Sequence, residues 1–170
     1  MSKDIRFFNP SLFYNKHKEE FDATIQKILN HGGLVTGVSP EIEDFEREFA
    51  AFTGAKHVIA TGSGTHSLAL VYKALGFGPG DEVITTSHTF VATIDQIKLL
   101  GATPVLVDIG PDGLIDPFEV RKAITPRTKA IVPVHLEGKV CNMKEILSLA
   151  KMYNLLVVED AAQAVGATFG

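Results

Sequence analysis

Residues 57–75 read HVIATGSGTHSLALVYKAL: a short β-rich run, a turn carrying two glycines, then a stretch of helix formers. That order is one strand–turn–helix unit, and the chain repeats it downstream. After His57–Thr61, the runs Glu82–Thr85, Thr103–Val107, Ala130–Val134 and Leu155–Glu159 read as strands. Helical stretches alternate with them at Gly64–Leu75, Phe90–Leu100, Asp116–Ala123 and Met143–Tyr153, with glycine and proline at the joins. Strands and helices in alternation predict an α/β fold, a mostly parallel sheet with helices on both faces.

Upstream of that unit the pattern is helical only. Phe21, Ile25, Ile28 and Leu29 recur at helical spacing between Tyr14 and Asn30, and His31-Gly32-Gly33 supplies a stop. A second helix is expected over Pro40–Phe52, with Ser39 as N-cap, Ile42, Phe45 and Phe49 facing inward, and Thr53-Gly54 as its end. Residues 1–33 are therefore read as an N-terminal helical arm and residues 34–170 as part of the α/β domain. A doubly wound sheet normally continues past the point where Gly170 stands, so the fold is expected to be incomplete at the C-terminus.

With 170 residues, 45% hydrophobic and 21% charged, the chain has the composition of a globular protein with a real core. A formal charge of −4 without a basic run gives no footprint for nucleic acid or for an anionic membrane, which points to small-molecule partners. The single cysteine, Cys141, excludes an internal disulfide framework, and the opening Met-Ser-Lys-Asp leads into no signal-peptide core, so the cytoplasm is the expected compartment. No apolar run is long enough to span a bilayer.

Three features fall at strand ends, where open α/β sheets bind their ligands. Thr61-Gly62-Ser63-Gly64-Thr65 opens a helix, a place where free amides and the helix dipole favour an anion such as phosphate. A dinucleotide fingerprint fails here, because Ser67 stands where a third glycine belongs and Thr85-Thr86 where an acidic residue belongs; a Walker Gly-Lys-Ser/Thr is absent too. The second feature is Val157-Val158-Glu159-Asp160-Ala161-Ala162-Gln163, where an apolar strand ends in two carboxylates. Asp160 there is either a ligand-facing acid or a local cap, and the small Ala161 and Ala162 leave room for a flat ligand. The third is Ser87-His88-Thr89-Phe90, whose Phe90 ring is either core or a stacking surface. His135 reads as a hydrogen-bonded structural histidine and Cys141 as an ordinary thiol, and His66 and His88 have no partners at metal-ligand spacing, so no metal site is expected.

Taken together with Gly78-Pro79-Gly80-Asp81-Glu82, Ile124-Thr125-Pro126-Arg127-Thr128 and Pro133-Val134-His135-Leu136, these blocks resemble, in order, those of the DegT/DnrJ/EryC1/StrS sugar aminotransferases. The resemblance implies an aspartate-aminotransferase-like large domain (fold type I) that binds pyridoxal 5'-phosphate and works as a homodimer with shared active sites. By position, Gly64 and Thr65 would hold the cofactor phosphate with Ser63 assisting, Phe90 would stack on the pyridine ring and Ala162 would pack on its other face. Asp160 would pair with the ring nitrogen and Gln163 would contact the ring hydroxyl. The implied reaction moves an amino group from a donor such as glutamate onto a nucleotide-linked keto-sugar. A sugar dehydratase of the same family, or a non-catalytic scaffold, are the alternatives. The family's Schiff-base lysine is expected after Gly170, since Lys144 and Lys151 fall on an amphipathic helix. Glu137 stands where relatives commonly carry an aromatic, which bears on substrate choice.

Overall fold

A computed structural model describes residues 9–32 and 39–170. These fall into two compact units, Met1–Ala60 and Thr61–Gly170. The boundary expected at 33/34, with the Gly33 part of the predicted stop, lies outside the described residues.

The first unit is helical: α1 Pro10–Lys16, α2 Lys18–His31 and α3 Pro40–Thr53. The single helix expected over 14–30 is interrupted at His17, whose φ of −119° leaves the helical region. Its N–H donates to the carbonyls of Phe13 and Tyr14, closing α1, while its own carbonyl accepts from Phe21 to start α2. Gly32, at φ +71°, ends α2, a conformation that glycine adopts without steric cost. Ser39 holds the N-cap position of α3, but its hydroxyl donates to the Glu41 carboxylate at 2.9 Å instead of accepting a helix amide. No residue of α3 is buried; Phe45, expected inward, is exposed, and its ring lies 5.4 Å from that of Phe49 along the helix, tilted by 32°.

The second unit contains α4 Gly64–Ala74, β1 Glu82–Thr86, α5 Ala92–Leu99, β2 Thr103–Val107, α6 Pro117–Ala123, β3 Thr128–Ile131, α7 Met143–Tyr153 and β4 Leu156–Val157. The four strands form one parallel sheet in the order β2-β1-β3-β4. Two apolar layers cover it. Val83, Ala130 and Val132 pack with Tyr72, Phe77 and Ile97 on the face carrying α4 and α5. Ile84 and Ile131 pack with Val120, Met143 and Ile146 on the face carrying α6 and α7. The central strands β1 and β3 are buried on both faces, as expected inside a parallel sheet, while β2 and β4 at its edges are partly exposed.

Several boundaries differ from the sequence reading, and the strand expected over Leu155–Glu159 is reduced to the two residues of β4. The run at 57–61 is not a strand: no described strand lies alongside it, Ile59 is 80% exposed, and the Ala60 amide donates to the Glu46 carboxylate at 2.7 Å. β3 ends before Pro133, which has no N–H for a ladder, and pairing resumes as a single bridge between Val134 and Asp160. α5 starts at Ala92, so Phe90 stays in the loop outside the helix.

The strand order places the chain's reversal at β1. From β1 the chain moves outward to β2, then crosses back to β3 on the other side. The loops leaving β1 and β3 diverge there, and a crevice forms between them at the carboxyl ends of the strands.

Candidate functional site

At this reversal the structure has a cavity of about 260 Å³. The start of α4 contributes Gly64 and Thr65, the loop after β1 Thr89 and Phe90, the turn after β3 Leu136, and the segment after β4 Asp160, Ala162 and Gln163. Four segments far apart in sequence therefore meet around one space, and every residue proposed for the site except Ser63 lines it.

Each wall has a local cause. α4 begins at Gly64 because Ser63, in extended conformation, caps it: the Ser63 hydroxyl oxygen accepts from the His66 amide at 3.2 Å. The first amides of a helix have no partner within it, so those of Gly64 and Thr65 are free to meet an anion. A Cβ built on Gly64 would meet no protein atom within 4 Å, so the packing of this chain does not demand the glycine, and its bareness serves the open space. Phe90, outside its helix, is 68% exposed and presents its ring to the cavity wall.

Asp160 is fixed through its backbone. Its amide donates to the Pro133 carbonyl at 2.9 Å and its carbonyl accepts from the His135 amide at 3.0 Å, extending the β3 pairing past the proline. The carboxylate accepts from the Thr93 hydroxyl at 2.8 Å through Oδ2 and from the Ala162 amide at 3.3 Å through Oδ1. The second contact is the local cap that the sequence left open, and it closes a turn, since no helix follows in the described chain. Gln163 spends its side-chain oxygen on the Glu137 amide at 2.8 Å, which leaves its NH₂ group to donate elsewhere. Glu137 adopts φ +56°, a left-handed conformation uncommon for a residue with a side chain, and the bond to Gln163 helps hold it there.

The residues around the site serve as supports. His135 is buried; its Nδ1 accepts from the Cys141 amide at 3.2 Å, which assigns the proton to Nε2, facing Glu159 at 2.8 Å. His88 Nδ1 lies 2.9 Å from the Gly113 carbonyl and ties the loop after β2 to the loop after β1. Cys141 is 1% exposed, and burial pushes its thiol up to about 11. Burial, with the Asp160 charge nearby, also raises the pKa of Tyr72, whose hydroxyl donates to the Thr93 carbonyl at 3.3 Å. Thr89, Thr93 and Leu136 escaped the sequence reading. Thr89 stands in the loop before α5 and Thr93 in its first turn, so no periodicity in the sequence marked the pair.

Among the described residues no helix is long and apolar enough to cross a membrane. Residues 15–170 match the model of the DegT/DnrJ/EryC1/StrS aminotransferase family. The chain is similar to UDP-2-acetamido-2-deoxy-3-oxo-D-glucuronate aminotransferase of Pseudomonas aeruginosa, with 48% identity over 153 residues that cover 89% of this chain and 42% of the relative. Its fold superimposes on Streptomyces venezuelae DesV in complex with a ketimine intermediate at a TM-score of 0.90 and 41% identity, covering 97% of this chain and 44% of that one. A second solved relative, Bacillus subtilis NtdA with bound cofactor PMP, gives a TM-score of 0.86 at 41% identity over 91% of this chain and 35% of that one. The chain thus spans about two-fifths of the length of the curated relatives it matches.

Proposed function

The chain belongs to the DegT/DnrJ/EryC1/StrS aminotransferase family, and from that premise we propose that the protein transfers an amino group from an amino acid such as glutamate to a nucleotide-linked keto-sugar, with pyridoxal 5'-phosphate as the carrier. The observation that carries this reading is the meeting of three unlike groups at one cavity: free helix amides, an exposed aromatic ring and an anchored carboxylate. They suit, in turn, the phosphate, the ring face and the ring nitrogen of a phosphorylated pyridine. Several relatives are named as transaminases of nucleotide-linked sugars, which supports the same substrate class.

When bound, the cofactor supplies an electron sink for a carbanion next to the transferred nitrogen. The residues of this chain bind it and set its charge. Gly64 and Thr65 amides at the start of α4 hold the phosphate; the Ser63 hydroxyl proton, which its cap does not use, is available beside them. Phe90 covers one ring face and Ala162 leaves the other free for close packing. Gln163 offers its NH₂ group to the ring hydroxyl oxygen. Asp160 sits where an opposite charge keeps the ring nitrogen protonated. No lysine lines the cavity among the described residues, so this reading assigns the covalent amine to none of them. The same reading makes the protein a cytoplasmic homodimer whose partner subunit completes the site.

The test is to incubate the full protein with glutamate and a panel of nucleotide-linked keto-sugars and to weigh the products. An amino-sugar formed in step with 2-oxoglutarate is the expected result. A deoxy-sugar without glutamate consumption, or no conversion across the panel, would overturn the proposal.

A further inference from the structure

The Asp160 backbone is held from both sides, yet a carboxylate can still rotate about its side-chain bonds, and a ring nitrogen requires one fixed orientation. The fixing group comes from α5. Thr93 is fully buried, and its hydroxyl lies between two oxygens, 2.8 Å from Asp160 Oδ2 and 2.9 Å from the Thr89 hydroxyl. A carboxylate only accepts, so the single Thr93 proton points at Asp160; Thr93 then has only lone pairs for its other neighbour, and Thr89 must donate to it. The result is a one-way chain, Thr89 to Thr93 to Asp160. Its middle member is immobilised in turn, because the Thr93 amide donates to the Phe90 carbonyl at 3.1 Å and its carbonyl accepts from the buried Tyr72 hydroxyl.

We propose that Thr93 is the positioning residue of this site: its hydroxyl sets the orientation of the Asp160 carboxylate, and the chain leaves Thr89, on the cavity wall, with only acceptor capacity toward a ligand. This deepens the proposed function and rests on it, since it takes Asp160 to face a protonated ring nitrogen. It also accounts for a hydroxyl at a buried position where valine would have the same shape. With Asp160 Oδ2 bonded to Thr93 and Oδ1 to the Ala162 amide, each oxygen retains a lone-pair site for one cationic N–H from the cavity.

The experiment uses the full protein and pyridoxamine phosphate as probe, in wild type and in the variants T93V, T93S and D160N. Two readouts are taken: the dissociation constant from fluorescence, and the NMR signal of probe labelled at the ring nitrogen, which reports protonation. T93V, which keeps the packing and removes the charge-assisted bond, should bind about tenfold more weakly, with the nitrogen signal moved toward the unprotonated form. T93S should stay within about twofold of wild type, because it restores the donor without the methyl group. If T93V matches wild type in both readouts while D160N loses binding, the positioning role is overturned and the function stands. If T93S is as impaired as T93V, shape and not the hydroxyl is responsible, and the proposal again fails. A wild-type protein that does not bind the probe at all sinks the functional reading and this inference with it. Should T93V not fold, Thr89→Val tests the outer end of the chain. There a loss of about threefold, with the same movement of the nitrogen signal, supports the proposal, and no change overturns it.

Discussion

Asp160 was legible as a strand-end carboxylate, but its sequence context suited a turn cap as well as a ligand contact; the structure shows the cap bond from the Ala162 amide together with a bond from the Thr93 hydroxyl, at the wall of the cavity. The proposed role makes it matter to rate as well as to binding. Replacing it by asparagine should lower amino transfer by about 100-fold or more, the usual size of effect when a preorganised electrostatic group is removed, checked by steady-state kinetics of the full protein. Thr93 was not legible, because its partner lies 67 residues away and nothing local marks a threonine in the first turn of a helix as more than filler. His135 was easier, since it follows an apolar strand; Cys141 was read only as an ordinary thiol, and its burial comes from the core cluster it joins with Met143 and Ile146. Cys141 should accordingly resist thiol reagents at neutral pH, where a buried thiol pushed up to about 11 is protonated as well as covered. Alkylation followed by mass spectrometry should find it unmodified in the folded protein and modified once denaturant is added.

At the scale of elements, the central alternation was readable because each segment's hydrophobic pattern, glycine punctuation and capping residue agreed. α7 was read at its full extent, Met143–Tyr153, with Asn142 accepting from the Glu145 amide at its start and Asn154 left-handed at its end. Boundaries slipped where an element depends on distant partners: β3 stops early at Pro133, and the run at 57–61 has strand composition but no neighbouring strand in the described chain. Two element ends yield tests. Ser63→Ala removes the cap of α4 and should destabilise the protein by about 1 kcal/mol in chemical denaturation, and it should weaken binding of the cofactor phosphate as the helix start frays. At the start of β1, Glu82 accepts from the Thr125 hydroxyl at 2.5 Å and from Arg127 at 2.9 Å, and these bonds hold its carboxyl below its ordinary 4.5. A depressed carboxyl contributes stability that is present above its unfolded value and lost as pH falls through the folded one. The denaturation midpoint of Glu82→Gln should therefore trail wild type at neutral pH, and the gap should close as pH falls below 4.5, as a denaturant series across acid pH would show.

For the molecule as a whole, surface chemistry decides behaviour. The second unit buries its central strands β1 and β3 on both faces, yet it leaves large apolar side chains in contact with solvent: Leu99 at 76%, Phe118 and Met152 at 65% and Val165 at 64%. β4, only two residues long, pairs on one side with β3, and no strand of the described chain covers its other edge. Both features favour association, the first through apolar burial and the second through free backbone donors and acceptors. A net charge of −4 spread over 170 residues offers little repulsion against this. Protein made of these 170 residues alone should therefore self-associate at micromolar concentration, raising light scattering and binding a hydrophobic dye. The proposed homodimer would instead sediment from the full protein as one defined species. A monodisperse 170-residue monomer without dye binding would mean that these side chains and the β4 edge are tolerated in water. The case for their being covered by further chain or by a partner subunit would then be lost.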